Sequence, residues 1–501
     1  MKPTSASNQS TRPLRMRVQA PRTPQPQAMI PPSPSLSRSG GAQLPSFNDP
    51  SENHSSRFAS AQIKIPSRQS IALISEHGDP AAEIGREEAG GQNVYVRQVG
   101  ESLAKMGWQV DMFTRKASPT DAAIVQHGPH CRTIRLDAGP AEFIPRDRLF
   151  EHMPEFVDSF LRFQAKDGGN YPLIHTNYWM SGWVGLQIKQ VSNIQLIHTY
   201  HSLGAIKYQA LGSSSQKPAS ASIRLDVERQ ILEQADCVVA TSPQEQEHLR
   251  SLISQQGNIE VIPCGTDVET FHLIPQAAAR KTLGFSSSEK IVLYVGRFDP
   301  RKGIETLVRA FASLTKNPED HMPSLRLVIV GGSQVDGVDR AERSRIESLV
   351  ADLGIAAQTT FAGQVGHDRL ADYYTAADVC AIPSHYEPFG LVAIEAMACG
   401  TPVVASDVGG LKFTVVPDET GLLVPPQDVS AFAIAIEQVL THPQWSTQVR
   451  QQASAWVQQN FSWTGVAVQL SDLYRRRLAE SLLAPSQIRV MPEAALARLS
   501  A

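Results

Sequence analysis

The chain has 501 residues, of which 42% are hydrophobic and 19% charged, a composition typical of a globular enzyme with two or three domains. Its net charge of −3 gives no reason to expect a nucleic acid as partner, and no apolar run approaches the roughly 20 residues that a transmembrane helix needs. The five cysteines lie far apart without a CxxC pair, which argues against a structural zinc site or a disulfide framework. Unpaired cysteines predict a reducing, cytoplasmic location.

Both ends of the chain differ in composition from its middle. Residues 1–65 are rich in Pro, Ser, Gln and Arg, and no acidic residue precedes Asp49. A low hydrophobicity with many prolines predicts a disordered tail. An organelle transit peptide is the alternative interpretation, but the prolines oppose the amphipathic helix that it would form. Residues 483–501 are interpreted as a second tail.

The first half of the middle alternates between strand-like and helix-like segments. A helix is predicted near Gly91–Met106, because Val96, Val99, Leu103 and Met106 repeat at helical spacing. Short runs rich in β-branched residues predict strands at residues 71–75, 109–114, 172–176, 194–199, 236–242 and 259–263. This alternation predicts a parallel sheet covered by helices over residues 66–270.

The same alternation restarts in the second half. A strand over residues 290–296 precedes a helix that begins near Gly303, and further strands are predicted at 325–332, 359–363, 378–384, 401–406 and 421–426. We therefore expect a second Rossmann-like domain over residues 285–440, followed by closing helices over 441–482. Because open α/β sheets bind ligands beyond the carboxyl ends of their strands, two such domains predict one cleft between them.

Glycines and cations follow these predicted strands. Gly91 stands in a glycine pair at a helix start, where a phosphate can approach the backbone, although a tight turn would use the same residues. The surrounding sequence is not GxGxxG, so a nicotinamide site is not indicated. Arg297 and Lys302 lie five residues apart at a strand end and suit a diphosphate. The alternative is a pair of solvated surface charges, which their strand-end position disfavours.

Two carboxylates stand in the apolar segment "SHYEPFGLVAIEAMACGTPVVAS", residues 384–406. Glu395, on a predicted helix, has the bidentate acceptor geometry for two ribose hydroxyls, and Glu387, in the preceding loop, has access to a sugar. The alternative is that both carboxylates bond to neighbouring backbone or basic groups, because a buried carboxylate needs a partner.

The segments "GGQNVYV", "HTNYWMSGWVGL", "VGRFDPRKGIETL" and "EPFGLVAIEAMACGTPVVASDVGGL" together resemble the retaining family-4 glycosyltransferases of the GT-B fold. The resemblance covers about residues 70–480. It implies that Arg297 and Lys302 clamp the diphosphate of a nucleotide sugar, that Glu387 holds the transferred sugar, and that no bound metal or other cofactor is needed. It places the donor on Gly91, Gln92, Asn93, Val365, Phe389, Gly390, Leu391 and Glu395.

Within that family, the opening "EHGDP…GGQNVYV" and the segment "HTYHSLGAIKYQ" resemble the sucrose-phosphate synthases and the inositol-phosphate glycosyltransferases of mycothiol synthesis. His201 then falls at the position that contacts the donor sugar. The positions that contact the acceptor phosphate are occupied by Arg146, Tyr178, Ser202, Lys207 and Arg224. Each of the three cations, Arg146, Lys207 and Arg224, could alone be an ordinary surface charge. A cluster of the three would make sense only for an anionic acceptor.

The resemblance implies transfer of glucose from UDP-glucose to a sugar phosphate, most simply fructose 6-phosphate. The alternative enzyme transfers a sugar to inositol phosphate or to a lipid or polysaccharide precursor. A non-catalytic nucleotide-sugar sensor is a third possibility, which the presence of both glutamates and both clamp cations disfavours. A sugar-nucleotide epimerase would share the two-domain architecture but not the glutamate segment.

Overall fold

A computed structural model describes residues 68–82, 91–167, 169–210, 220–316, 324–332 and 339–483. The two segments that the sequence predicts to be tails lie outside these ranges, apart from Leu483. The predicted alternation of strands and helices is present through the rest.

The first half of the chain forms a sheet with eight strands in the described ranges, in the order β3-β4-β2-β1-β5-β6-β7-β8. Every neighbouring pair is parallel except β3 with β4. All six predicted strands of this half are present. The strands are β1 (Ser70–Ile74), β2 (Gln109–Arg115), β3 (Ile124–Gly128), β4 (Cys131–Leu136), β5 (Leu173–Asn177), β6 (Gln195–Thr199), β7 (Cys237–Ala240) and β8 (Ile259–Val261).

The edge hairpin of β3 and β4 differs from the all-parallel sheet that the sequence predicts. Only Pro129 and His130 separate the two strands, and they pair antiparallel. A parallel connection needs a crossover of a dozen or more residues, so a two-residue link fixes the antiparallel direction. β3 lies at the sheet edge and is partly exposed, which explains why its residues give no buried-strand signal.

Helices connect these strands and cover both faces of the sheet. The predicted first helix begins at Gly91 and buries Val96, Val99 and Leu103 against β1 and β2, as its periodicity indicates. The helices are α1 (Gly91–Lys105), α2 (Arg146–Leu149), α3 (Met153–Asp167), α4 (Trp179–Val191), α5 (Gly204–Ala210), α6 (Ala221–Gln234) and α7 (Pro243–His248).

The second half forms a parallel sheet with six strands among the described residues, in the order β11-β10-β9-β12-β13-β14. Its first strand, β9, is central, and the reversal of strand order beside it is where α/β proteins place ligands. The strands are β9 (Lys290–Val295), β10 (Leu325–Val330), β11 (Thr359–Gly363), β12 (Val379–Ile382), β13 (Val403–Ser406) and β14 (Gly421–Val424).

The helices of the second half include the one predicted to begin near Gly303. Gly303 has a φ of +67°, and Ile304, Leu307, Val308 and Phe311 of the helix that follows are buried. No helix in the part of the chain that the structure describes is both long and apolar enough to span a bilayer. The helices are α8 (Gln276–Leu283), α9 (Ile304–Leu314), α10 (Arg340–Asp352), α11 (His367–Ala376), α12 (Leu391–Ala398), α13 (Leu411–Thr414), α14 (Val429–Thr441), α15 (Pro443–Asn460) and α16 (Trp463–Leu483).

The last helix, α16, returns to the first domain and packs along α1. Tyr474 Oη lies 2.5 Å from Nδ1 of His175 on β5, and Trp108 Nε1 donates to Ser471 Oγ at 2.9 Å. The ring of Trp463 packs edge-on against Tyr95 of α1. One apolar core therefore contains residues from both halves of the chain, so the helix that ends the second domain also completes the first.

Candidate active site

The starts of two helices, one from each domain, approach each other at the carboxyl ends of the strands. A Cβ on Gly91, the first residue of α1, would lie 3.0 Å from Cδ1 of Leu391, the first residue of α12. Gly390 has a φ of +101°, and a Cβ there would come within 2.7 Å of Leu411 Cδ2, so glycine is needed before α12. Helix N-termini carry unpaired N–H groups and partial positive charge, so this position favours an anionic group.

Polar side chains beside Gly91 tie the start of α1 to the first strand. Gln92 Nε2 donates to Ser75 Oγ at 2.9 Å, and Asn93 Nδ2 donates to the carbonyl of Asp79 at 2.9 Å. Gln92 and Asn93, which we expect to contact the sugar donor, are therefore hydrogen-bonded to the turn that follows β1.

His201 follows β6 with a φ of +58°, an uncommon conformation for a residue other than glycine. Its Nε2 lies 2.9 Å from Oδ1 of Asn177, and its ring packs edge-on against Tyr95 at 4.8 Å between centroids. Burial, with a smaller contribution from the nearby His175 and His77, lowers the pKa of His201 to about 3. The ring is therefore neutral at pH 7, so that Nε2–H donates to Asn177 and Nδ1 remains an acceptor.

Lys302 and Glu387 form an ion pair across the second domain's strand ends. Lys302 Nζ lies 2.6 Å from Glu387 Oε2, and Ser384 Oγ donates to the same oxygen at 3.3 Å. The sequence leaves open that Glu387 pairs with a basic group, and the structure contains such a pair, with Lys302. Arg297 is exposed, and its guanidinium forms no hydrogen bond or ion pair with the described residues. Arg297 therefore retains its hydrogen-bonding capacity for a ligand.

Glu395 lies on the second turn of α12. Tyr374 Oη donates to its Oε2 at 2.7 Å, and His367 Nε2 lies 3.8 Å from its Oε1. Two neighbours thus fix the orientation of this carboxylate. The Phe389 ring is buried against Phe461, so only the backbone of this residue is available to a ligand.

Val365, between β11 and α11, is partly buried. Among the described residues, no three His, Cys, Asp or Glu side chains come together in a way that could hold a metal ion.

Arg224 is the most buried of the cations expected to meet an acceptor phosphate, with 2% exposure. Its Nε donates to Glu228 Oε1 at 2.7 Å, its Nη1 to Tyr178 Oη at 3.2 Å, and its Nη2 to the Ser202 carbonyl at 2.6 Å. The guanidinium also lies over the Tyr178 ring, 5.1 Å from the centroid. Arg224 therefore joins three of the expected residues into one network, and Glu228 already balances its charge.

Lys207, one turn into α5, lies among several positive charges. Burial, together with the nearby charges of Arg224, Arg301 and Arg146, lowers the pKa of Lys207 to about 8, against a smaller opposing effect of Asp299. Its ammonium forms no hydrogen bond or ion pair within the ranges that the structure describes. The structure thus brings together the three cations expected from the sequence and adds a fourth, Arg301, from the other domain. We call Arg146, Lys207, Arg224 and Arg301 the cation cluster.

Arg301 was not identified from the sequence, although it stands between Arg297 and Lys302. Asp299 holds its guanidinium through Nε at 3.0 Å and Nη2 at 2.5 Å. Burial raises the pKa of Asp299, but the bonds from Arg301 outweigh this and lower it to about 2. The available signal was the position of "DPRKG" beyond a strand end, where any cation faces the cleft.

Glu76 and His77, directly after β1, were also not identified. Nδ1 of His77 lies 2.6 Å from Oε1 of Glu76, and the imidazole packs edge-on against Tyr178. Their signal in the sequence was an "EH" pair at a strand's carboxyl end.

Two α/β domains with largely parallel sheets and polar residues gathered at the strand ends form the GT-B architecture. Residues 90–265 match the family model described as a glycosyl transferase 4-like domain, and residues 275–456 match that of the glycosyl transferases group 1. The chain belongs to the family-4-type glycosyltransferases, and it is a hexosyl-transferring enzyme.

Proteins similar to this chain carry different names. D-inositol 3-phosphate glycosyltransferase of Gordonia bronchialis is 37% identical over 415 residues, which cover 82% of this chain and 90% of the relative. The solved structure of sucrose-phosphate synthase from Thermosynechococcus elongatus is 55% identical with a TM-score of 0.76, covering 82% of this chain and all of that one. Anabaena Alr3699/HepE, solved with UDP and glucose, shares the fold at 20% identity, with a TM-score of 0.63 and coverage of 81% of this chain and all of that one.

Proposed function

We propose that the protein transfers glucose from UDP-glucose to fructose 6-phosphate, with retention of the α-configuration. The observation that carries the proposal is the cation cluster, in which Lys207 lies near three arginines and forms no ion pair or hydrogen bond with the described residues. A phosphate group on the acceptor supplies the missing negative charge. The 55% identity to a sucrose-phosphate synthase supports this acceptor over other phosphorylated sugars.

The donor binds to the second domain in this proposal. Arg297 and Lys302 neutralise the diphosphate, and the starts of α1 and α12 add their N–H groups. Glu395, oriented by Tyr374, accepts two hydrogen bonds from the ribose. Backbone groups near Val365 read the uracil, and those of Phe389, Gly390 and Leu391 contact sugar and phosphate.

The proposed reaction breaks the bond from the anomeric carbon to the diphosphate and forms a bond from that carbon to the acceptor oxygen. Both events take place on the same face of the sugar, which retains the configuration. The proton of the acceptor hydroxyl passes to the leaving phosphate, whose growing charge Arg297 and Lys302 stabilise. Neutral His201 orients the donor sugar, and Glu387, held by Lys302, accepts from its hydroxyls.

An inositol phosphate acceptor is the second candidate. The observation that favours it is the name shared by curated relatives 35–38% identical to this chain. Because both acceptors carry a phosphate, the cation cluster suits either, and the distinction depends on the hydroxyl groups that the acceptor presents.

We propose a cytoplasmic location for this reaction. All five cysteines are buried and unpaired, as suits a reducing compartment.

A panel assay tests the function. The protein is incubated with UDP-, ADP- or GDP-glucose and with fructose 6-phosphate, inositol 3-phosphate, or either acceptor without its phosphate. Product mass identifies the acceptor, and the proton coupling at the anomeric carbon reports its configuration. We expect sucrose 6-phosphate from UDP-glucose. Transfer to inositol 3-phosphate alone would replace the first candidate by the second, and a preference for unphosphorylated acceptors would overturn both.

A further inference from the structure

The imidazole of His201 is held at two points. Its Nε2 lies 2.9 Å from Oδ1 of Asn177, and the ring of Tyr95 packs edge-on against it, with 4.8 Å between centroids and 73° between planes. A single hydrogen bond fixes the position of Nε2 but leaves the ring free to turn about that contact. The packing of Tyr95 is therefore what restricts the tilt of the imidazole.

Tyr95 lies on α1 and is buried, and the proposed reaction gives it no task. Its Oη forms no hydrogen bond with the residues that the structure describes. A buried hydroxyl group without a partner lowers stability, so the hydroxyl does not explain this residue. The ring does, because it contacts both His201 and Trp463.

Trp463 is the first residue of α16, which follows the second domain along the chain. Its N–H donates to the carbonyl of Thr266 at 3.3 Å, and the N–H of Thr266 donates to the carbonyl of Phe461 at 2.7 Å. A Cβ on Gly265 would lie 2.7 Å from Cε3 of Trp463, so any side chain there would displace the indole. The segment that leaves the first domain thus holds the residue with which the chain returns to it.

The same segment contacts the loop that we expect to bind the donor. The ring of Phe461 packs edge-on against Phe389, with 5.8 Å between centroids, and the backbone of Phe389 is expected to contact sugar and phosphate. Two residues after Phe461, Trp463 packs against Tyr95, and Tyr95 against His201. We call these five residues the aromatic column. The column joins two groups that the proposed reaction assigns to the donor, one in each domain.

We propose that Tyr95 is the positioning residue of His201, and that Trp463, supplied by the helix that follows the second domain, keeps Tyr95 in place. The inference rests on the proposed function, in which His201 orients the donor sugar. Edge-on aromatic pairs prefer defined separations and angles, so they restrict the imidazole without occupying either of its nitrogens. A reacting group that is misplaced by about 1 Å costs about 100-fold in rate, so turnover depends on this packing.

Tyr95→Leu removes the ring but keeps an apolar side chain in the core. We expect it to lower kcat by about 10- to 100-fold, because the imidazole loses its fixed tilt. The Kd for UDP, measured by calorimetry, stays unchanged, since UDP has no sugar for His201 to orient. Tyr95→Phe keeps the ring and should restore kcat to near the wild-type value. A Tyr95→Phe variant as slow as Tyr95→Leu would overturn the inference, since the hydroxyl would then be the group that acts.

A double-mutant cycle with His201→Ala gives a readout that a purely structural effect would not change. If Tyr95 acts through His201, Tyr95→Leu lowers kcat much less in the His201→Ala background than in wild type. Single-turnover assays with radiolabelled donor measure all four proteins. Equal fold-losses in the two backgrounds overturn the positioning role.

Trp463→Leu and Trp108→Leu are a matched pair that tests the other end of the contact. Both tryptophans are buried, and each packs edge-on against a tyrosine where α16 meets the first domain, Trp463 on Tyr95 at 5.7 Å and Trp108 on Tyr474 at 5.8 Å. Both variants should have a lower melting temperature, but only Trp463→Leu should have a lower kcat. Equal kcat values contradict the role of Trp463. If circular dichroism shows that either variant is unfolded, Phe replaces Leu at both positions.

The panel assay separates this inference from the proposed function. It identifies the donor and acceptor that wild type uses, and every variant is then measured with that pair. A pair other than UDP-glucose and fructose 6-phosphate refutes the proposed function. The cycle still decides on Tyr95 in that case, because it asks only whether Tyr95 acts through His201.

Discussion

Lys302 and Glu387 neutralise each other at 2.6 Å, one beside the start of α9 and the other before α12. A diphosphate that reaches Lys302 competes with this carboxylate for the ammonium group. In the proposed reaction, the ion pair holds the lysine side chain beside the leaving diphosphate.

Lys302→Ala should lower kcat by about 100- to 1000-fold, because preorganised electrostatic groups of this kind are worth about 3–4 kcal/mol in the transition state. Arg309→Ala on α9 is the matched control, since among the described residues Arg309 pairs with Glu305 alone, on the exposed side of that helix. Steady-state turnover is measured for both. Near-wild-type turnover of Lys302→Ala would rule out the diphosphate clamp.

Lys207→Glu places a carboxylate in the cation cluster. Binding of a phosphorylated acceptor should weaken strongly, because repulsion replaces a charge-assisted bond, whereas UDP-glucose binding should hardly change. Lys105→Glu is the control: Lys105 is exposed at the far end of α1, about 21 Å along the helix from Gly91. Calorimetry of both ligands decides, and equal acceptor affinity in the two variants would contradict the assignment.

Acceptor binding should also depend on pH through Lys207. The pKa of Lys207 is lowered to about 8, so the protonated form that binds phosphate is present below pH 8 and is lost above it. Affinity for the phosphorylated acceptor should fall about tenfold between pH 7 and pH 9, because each unit above the pKa reduces the charged fraction tenfold. Lys207→Arg should remove this fall, since arginine stays charged. A fall that persists in Lys207→Arg has another origin.

For single residues, the sequence identifies those that lie just after the carboxyl end of a predicted strand. Arg297, Lys302 and Glu387 each stand beyond a predicted strand, and the structure places them at the sheet's carboxyl edge. Arg301 and His77 share that position but have no motif of their own. They stand out only through their contacts in the structure, Arg301 with Asp299, and His77 with Glu76 and Tyr178. The contact between His77 and Tyr178 depends on how separate strands pack, which the sequence pattern does not show.

Among the elements, α16 differs from the helices that cover a single sheet. Its buried face includes Trp463, Leu470 and Tyr474, and these side chains join the core around α1 and β5. The sequence predicts closing helices over 441–482 but gives no sign of which domain they cover, because helical periodicity defines an apolar face and not its partner.

Leu470→Ala and Leu482→Ala form a matched pair on this helix, since Leu470 is fully buried and Leu482 is 86% exposed. Leu470→Ala should lower the free energy of unfolding by about 2–5 kcal/mol, through lost burial and the cavity left behind. Leu482→Ala should change it by less than about 0.5 kcal/mol. Urea unfolding followed by tryptophan fluorescence measures both. Equal midpoints for the two variants would show that α16 contributes little to the core.

The antiparallel hairpin of β3 and β4 could not be predicted from the sequence pattern. The sequence predicts parallel strands because β-branched runs alternate with helical periodicity, whereas β3 is partly exposed and lies at a sheet edge. Edge strands lack the continuous apolar pattern of buried ones, so their residues give no comparable signal.

For the whole molecule, the shared core makes the two halves of the chain depend on each other. A chain ending at residue 460 lacks α16 and leaves the faces of α1 and β5 without their cover. This chain should bind the dye ANS and lose its sharp unfolding transition, because an uncovered apolar core loses specific packing. A chain ending at residue 483 keeps α16 and is the control. Cooperative unfolding of the shorter chain at the same urea concentration would contradict a shared core.

The return of α16 also has a consequence for biosynthesis. About 370 residues separate Tyr95 from its packing partner Trp463, and a ribosome needs about 20 to 70 s to add them at about 5–20 residues per second. For that time the nascent first domain presents along α1 the apolar surface that α16 later covers. Chaperones that bind exposed apolar surface therefore have a defined target on the growing chain, and messages that stall before residue 463 leave that target uncovered.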